Sequence, residues 1–596
     1  MKKTFFLTTL ILLAGLANLH ATIYYVKSAG AGDLSGSSWA NASDDLQVMI
    51  NNAQAGGDTV FVAEGSYYPT KESNHLAGTI SPYNRNNAFV LKKDVKIYGS
   101  FPANANDNEH NDIDCRFPNP NSWTLSTYLI GNLRQNEDWD SFAYHVVISV
   151  GDVGSALLNG IVIANGNANG STDDEIMVNG YEISNAMGGG MCNVFSSPTL
   201  SRVIIYHNMA KYGGGMFNST SFPTISSSTI SNNTVDYVGG GIYNFRSSPT
   251  LANVYIQENR AGTDGGGMIN RYASNPHITN TTIRENRADK GGGIYNQNQS
   301  APIIKSTTIM NNTAGYGGGI YNYSSGNAFC QNVVIYKNTA TTGGGGGVVN
   351  HDSNPTFLNV VIAENTGKLG GGGMTNTVSS PTLVNVTVGR NTSGTKDTYG
   401  GGIRNSNSSR PRIYNSIVWG NIGYPQVYNE LNSHVSCYHS LVETETTGDS
   451  NNINGSIDPL FVGDIGYDFD YYLMENSPCI DKGNNAYYTE NGGNLETDVD
   501  LKGDPRLSGA SIDMGAYEAM EQTGILSPEL KTNTDIIALE GKIQFKGLQG
   551  QQISIYTPDG RLYLNHQISN DLETIPLPEG LYIILAGGKS QKVLVK

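Results

Sequence analysis

The chain is short of charge. Asp, Glu, Lys and Arg together make up only 15% of its 596 residues, against about 25% in ordinary soluble domains. What charge there is leans acidic: 36 Lys and Arg face 52 Asp and Glu, for a formal net charge of −16. Without a basic stripe the chain lacks the electrostatic footprint for nucleic acid or an anionic membrane surface, so neither is expected as a partner. Cysteine is scarce. Cys115, Cys192, Cys330, Cys437 and Cys479 are odd in number and widely spread, which is no disulfide framework and has no metal spacing. Each reads as a small buried apolar group. Long apolar runs are missing as well: past the N-terminus no stretch reaches the roughly 18 residues of a membrane-crossing helix, so no transmembrane helix is expected. With 38% hydrophobic and 9% aromatic residues, wholesale disorder is excluded. What is plentiful is Gly, at 72 residues, and Tyr, at 34 against 4 Trp. Stacked β architectures spend their residues in this way.

Residues 1–21 read as a secretory signal. Lys2 and Lys3 give the positive start, Phe5 to Leu16 is a short apolar run, and Leu19-His20-Ala21 is a cleavage site, with Ala17 the alternative. The expected address is secreted or at the cell surface.

An internal period dominates the middle. Between residues 188 and 421 a phrase of Gly-Gly-Gly, an apolar residue, any residue and Asn recurs, its Asn at 193, 218, 244, 270, 296, 322, 350, 376 and 405. The residue after the glycines is Met191, Met216, Ile242, Met268, Ile294, Ile320, Val348, Met374 and Ile403, never polar. A second phrase ends in Asn208, Asn233, Asn259, Asn286, Asn312, Asn338, Asn365, Asn391 and Asn421. It carries a middle Asn at 253, 280, 332, 359, 385 and 415, replaced by Arg202, Ser227 and Ser306 in the other coils. Short period-two runs between Gly and Asn corners mean strands. One unit cannot cover its own apolar face, so units must stack. The expectation is an all-β chain: a right-handed parallel β-helix of about 12–15 coils, ~26 residues per coil, followed by a small antiparallel β-sandwich. Stacked at the strand spacing, its rod is about 60–70 Å long. Repeated Asn then lie in columns, each amide donating to the next, and the glycines permit positive φ at tight corners.

The chain divides into the signal (1–21), an N-terminal cap with first coils (22–100), irregular coils with insertions (101–187), regular repeats (188–421), last coils with a closing region (422–520) and the sandwich (525–596). Within the cap, Asp44 to Gln54 has helical spacing at Leu46, Met49 and Ile50.

The Gly-Gly-Gly-Ile and Tyr-x-x-Asn phrases, such as Tyr336-Lys337-Asn338, resemble the repeats of chlamydial polymorphic outer-membrane proteins. That resemblance implies surface display and adhesion. Ser477-Pro478-Cys479-Ile480-Asp481-Lys482-Gly483-Asn484, Asp500-Leu501-Lys502-Gly503-Asp504-Pro505-Arg506 and Ile512-Asp513-Met514-Gly515-Ala516-Tyr517-Glu518 resemble the choice-of-anchor Q region that closes exported β-helices. Ile553-Ser554-Ile555-Tyr556, the turn Pro558-Asp559-Gly560, Leu577-Pro578-Glu579-Gly580-Leu581-Tyr582 and Lys592 to Lys596 resemble the type A sorting domain of the type IX secretion system of the Bacteroidetes. The type IX secretion machinery is the partner this implies.

The body is also similar to pectin-lyase-type β-helices, which implies polysaccharide as substrate or ligand. The residue between the apolar position and the Asn should point outward. Phe217, Tyr243, Tyr295 and Tyr321 occupy it and form a partial stack of rings, the candidate ligand-binding site. The expected function is binding or adhesion to a glycan or a host or cell surface; the alternative is a polysaccharide lyase or glycoside hydrolase working in a groove. No catalytic motif stands out. The charged groups near the corners are Asp236, Arg246, Asp264, Arg271, Asp289, Lys290 and His351-Asp352, of which Asp264 with Arg271 or Asp289 with Lys290 are the pairs a lyase could use. No cofactor is expected. The acidic insertion Asp173-Asp174-Glu175 is a weak calcium candidate through its oxygens, though without alternating ligand spacing.

Overall fold

The computed structural model describes residues 21–54, 57–76, 81–116, 126–135, 138–394, 399–443, 451–462, 471–519, 535–539, 541–557, 562–578, 580–586 and 589–595. The signal other than Ala21 and the Pro558-Asp559-Gly560 turn lie outside them. The chain forms two compact units, residues 1–519 and 520–596.

The first unit is a parallel β-solenoid of about 10 regular turns. Its longest single ladder is a twelve-stranded parallel sheet that runs from Phe89–Val90 to Val427–Asn429. Each strand of this sheet carries one core residue. Met191, Met216, Ile242, Met268, Ile294, Ile320, Val348, Met374 and Ile403 are all fully buried in one column. Leu200, Ile225, Leu251, Ile278, Ile304, Cys330, Phe357, Leu383 and Ile413 form a second column. Ile205, Ile230, Ile256, Ile283, Ile309, Ile335, Ile362, Val388 and Val418 form a third. Three columns, one per face, meet in a single continuous core. The other two faces are joined at a corner where the middle-Asn column sits, and pair as one 22-stranded sheet. The helix Leu46–Asn52 places Leu46, Met49 and Ile50 in the same core, closing its N-terminal end.

Polar columns fix the register. The first Asn ladder runs from Asn193 to Asn429, each Nδ2 donating to the Oδ1 of the next coil at 2.8–2.9 Å. The second runs from Asn208 to Asn421. There both the backbone N–H and Nδ2 donate to the next Oδ1, at 2.9–3.1 Å. The middle column differs. Its members, from Arg202 to Asn415, adopt φ between 46° and 58°. In that position Asn serves because it tolerates the left-handed region. Only Asn332 with Asn359 and Asn385 with Asn415 are seen bonded to each other among the described residues. A column of serines, which the sequence reading passed over, caps the corner after the twelve-stranded sheet: the N–H of Ser196, Ser221, Ser247 and Ser274 each donates to the next serine's Oγ.

The three glycines of a repeat have different roles. Gly265 has φ of +67°, the left-handed turn that favours Gly. Gly266 does not; a Cβ there would lie 2.6 Å from the carbonyl oxygens of Arg287 and Gly292 in the next coil. Gly266→Ala must therefore pry two coils apart. We expect it to cost about 1–3 kcal/mol by analogy with overpacked cores, visible as a lowered melting temperature.

Residues 471–519 fold back over the outside of the 22-stranded sheet. Tyr471, Ala516 and Tyr517 pack on Val334, Tyr336, Val361 and Ala363; Tyr488 and Ile512 pack on Leu358 and Val384; Cys479 and Met514 pack on Ile417 and Leu441. All five cysteines are free thiols. Burial pushes those of Cys192, Cys330 and Cys479 up to about 12, which makes them inert apolar filler.

In the second unit, a three-stranded antiparallel sheet (Asp535–Leu539, Lys542–Lys546, Leu572–Pro576) and a four-stranded one (Gln552–Tyr556, Leu562–Gln567, Gly580–Ala586, Lys589–Val595) share a core of Ile543, Phe545, Ile553, Ile555, Ile584 and Val595.

Candidate ligand-binding face

Residues 471–519 cover the later coils of the 22-stranded sheet, whereas the outer face of the twelve-stranded sheet carries a groove with a polar and aromatic lining. Strand alternation puts the first and third residues of each strand inside and the second and fourth outside. The outward second column reads Val90, Ile148, Cys192, Phe217, Tyr243, Ile269, Tyr295, Tyr321, Val349, Thr375 and Arg404 in direct register. The outward fourth column reads Val150, Val194, Ser219, Phe245, Arg271, Gln297, Tyr323 and His351.

Phe217, Tyr243, Tyr295 and Tyr321 stand in this column, but their rings are not laid open. Their relative exposures are 7%, 7%, 3% and 8%. Successive coils bring the rings of Phe217 and Tyr243 to 5.2 Å and those of Tyr295 and Tyr321 to 5.3 Å, with Ile269 between the two pairs. Met187, Tyr212, Phe245 and Tyr323 flank them and complete the cover. Burial pushes the Tyr321 phenol up to about 12 and raises those of Tyr243 and Tyr295. The four rings form the floor of the face. The rings that reach solvent lie beside them: Phe195, Tyr237, Tyr272 and Tyr316 are exposed.

Three of the charged groups converge. Asp264 Oδ2 accepts from Arg271 Nη2 at 3.0 Å, and Asp264 is paired in register with Lys290 on the next coil. Burial raises the Asp264 carboxyl, and Lys290 and Arg271 oppose that shift. Asp236, Arg246, Asp289 and Asp352 are exposed, and of these Asp289 lies close enough to raise the Asp264 carboxyl further.

Part of the acidic insertion builds a hairpin. Glu175–Val178 and Tyr181–Ser184 form an antiparallel hairpin about Asn179 and Gly180, at φ of +51° and +85°. Asn-Gly between two alternating runs is a strong hairpin signature, and it was there to be read. Ile176, Val178 and Ile183 bury one side of the hairpin against Ile148, Val150 and Cys192. Glu175, Met177, Glu182 and Ser184 line the other side. The hairpin thus stands as a wall across the sheet. At its foot is an open groove of about 520 Å³, floored by Cys192, Phe217 and Tyr243 and edged by Tyr181, Phe195 and Phe245. Tyr181 and Phe195 meet at 5.8 Å. Among the described residues no three His, Cys, Asp or Glu side chains are gathered as a metal site, and no helix is long and apolar enough to cross a membrane.

The chain matches no protein-family model and no curated protein. Among solved structures it is similar to the pectate lyase Pel9A, at 11% identity over 83% of this chain and 96% of that one, with a TM-score of 0.35. It is also similar to the A-module of the mannuronan C-5 epimerase AlgE4 of Azotobacter vinelandii, at 14% identity over 66% and 94%, with a TM-score of 0.30. A rhamnogalacturonan lyase follows at 12% identity over 74% and 91%, with a TM-score of 0.25. Likenesses this slight bring neither substrate nor chemistry to this chain.

Proposed function

We propose that the protein binds a glycan chain on the outer face of its twelve-stranded sheet, in the groove at the foot of the hairpin, and that it does so outside the cell. The groove itself carries this reading. Flat rings, edge carboxylates and a Ser hydroxyl around about 520 Å³ of open space suit the mixed apolar and hydroxylated faces of sugars. Phe195 is 54% exposed and stands on the edge. Phe195→Ala is expected to weaken glycan binding about tenfold, as loss of one stacking ring does. Tyr295→Ala removes a floor ring, and should lower the melting temperature with little change in affinity. Titration calorimetry and thermal melts on both variants check the pair. Equal affinity for Phe195→Ala and the wild-type protein would remove the groove from consideration.

The address rests on the signal and on the tail that resembles a type IX sorting domain. Deleting residues 525–596 should leave the protein inside the cell envelope, as fractionation would reveal.

A second reading, glycoside hydrolysis, is favoured by one observation. Glu175 pairs with Ser184 and Glu182 with Met177, so the two residues are diagonal neighbours on one side of the hairpin, with backbones about 7–8 Å apart and carboxyl groups free to approach or spread from that spacing. An inverting pair holds its carboxyl groups about 6.5–9.5 Å apart, which side chains rooted at this spacing can reach. Release of reducing ends, abolished in Glu182→Gln, would establish it.

A further inference from the structure

We infer that the groove selects an uncharged glycan and turns away polyuronates. The inference rests on the glycan-binding reading above and names its ligand class. Among the residues lining the groove, Glu175 and Glu182 carry charge of one sign, and no Lys, Arg or His is present. Both carboxylates are exposed on the side of the hairpin that faces the groove. Neither is engaged in an ion pair with another described residue.

Lys92, Lys93, Arg246, Arg271 and Lys290 lie outside the lining. Lys92 and Lys93 line a separate hollow on the far side of the hairpin, with Asn179 and Tyr181 between. Lys92 Nζ donates to the Asn51 carbonyl at 2.7 Å, and Lys93 is paired with Asp152. Further along the face Arg271 is held by Asp264, and Lys290 is in register with the same carboxylate. Arg246 stacks over the outer ring of Phe245 at 5.4 Å and is not part of the lining.

A uronate polymer presents a carboxylate on every sugar. Seated in the groove against Phe195 and the hairpin, it would set those groups beside Glu175 and Glu182 with no counter-charge in the lining, and like-charge juxtaposition of this kind rejects a ligand. A neutral sugar meets the same two carboxylates as acceptors for its hydroxyls, which are charge-assisted hydrogen bonds, while its apolar face lies on the rings. The sequence's overall acidity works in the same direction.

The test is affinity electrophoresis of the full chain at low ionic strength, where charge effects are least screened. The probes are a soluble β-glucan, a mannan and a galactan on one side, and polygalacturonate and alginate on the other. The expected result is retardation by at least one neutral polymer, weakened tenfold or more in Phe195→Ala, and none by either polyuronate. The double variant Glu175→Gln with Glu182→Gln should acquire retardation by polyuronate. Retardation of the wild-type chain by a polyuronate, lost in Phe195→Ala, would overturn the charge selection while leaving the groove a glycan site. A double variant that still ignores polyuronates would show that the two carboxylates are not the selecting groups. Retardation by none of the five polymers would take away the glycan-binding reading itself.

Discussion

Asn312→Ala is expected to destabilise the solenoid by roughly 3–5 kcal/mol, more than a typical core truncation of the same size. The Oδ1 of Asn312 accepts two bonds, from the N–H and the Nδ2 of Asn286, both at 3.0 Å. Its Nδ2 donates two, to the Ile283 carbonyl and to Asn338 Oδ1, both at 2.9 Å. All of these atoms belong to residues shut off from water. Truncation leaves the Asn286 N–H without its acceptor, weakens three other groups and opens a small void. The first ladder makes the control. Asn296 accepts one bond from Asn270 and donates one to Asn322, each at 2.8 Å, so Asn296→Ala should cost about 1–3 kcal/mol, roughly half as much. Thermal melts rank the two. Because stacked coils are coupled mainly to their neighbours, hydrogen exchange should locate the loosening at the coils around Ile283 and Ile309, with the distant coils spared. Equal costs for the two variants would mean that the ladders are redundant with the core columns and do not set the register by themselves.

Those ladders also mark how far the sequence could be read. An Asn that must accept from two donors and donate to two more has no substitute, so the columns at 208 to 391 are unbroken and their period is plain. The middle column has the spacing of a third ladder, yet what that corner requires in every coil is a left-handed φ. Arg202 and Ser306 meet the requirement as well as Asn253 does, and their presence was the clue. The serine column escaped notice because a hydroxyl that receives one backbone N–H leaves no pattern beyond a Ser among many. Phe217 and Tyr243 could be placed in an outward column by alternation. Their burial could not be foreseen, since it depends on Met187, Tyr212 and Phe245, which enter from other segments. The wall of the groove is legible as Val178-Asn179-Gly180-Tyr181, an Asn-Gly between two short alternating runs.

Residues 471–519 are tied together by one buried knot, and Arg506→Met should undo it at a cost of about 3–5 kcal/mol. Arg506 and Glu518 are both fully shut off from solvent and meet at 2.8 Å. Arg506 Nη2 also donates to the carbonyls of Asp513 and Gly515, at 3.2 and 2.8 Å. Glu518 accepts from the N–H of Ser508 and Asp513. Asp500 gathers the N–H groups of Lys502, Gly503 and Asp504 on one oxygen and that of Glu518 on the other. Asp513 ties Asp481 and Ala519. The knot holds Ala516 and Met514 against the outside of the 22-stranded sheet. Burial pushes the Glu518 carboxyl up to about 8 even with Arg506 beside it, and Arg506 is the group that pulls it down. Without the guanidinium that pull is gone, and the folded carboxyl takes a proton still more readily than it does in the unfolded chain. A carboxyl raised on folding gives stability that is complete below its unfolded value, near 4.5, and lost as pH rises towards the folded one. The wild-type carboxyl, itself raised to about 8, loses stability in parallel with the variant's up to that pH, so the variant's deficit should stay level from pH 5 to 8 and widen only above about pH 8 in thermal melts, with the 471–519 segment the first to become sensitive to protease. Glu518→Gln in the Arg506→Met background removes the charge that causes the widening and should flatten the profile. A deficit that stays constant above pH 8 as well would show that Glu518 does not titrate in the knot, and that Arg506 acts only through its hydrogen bonds to the Asp513 and Gly515 carbonyls.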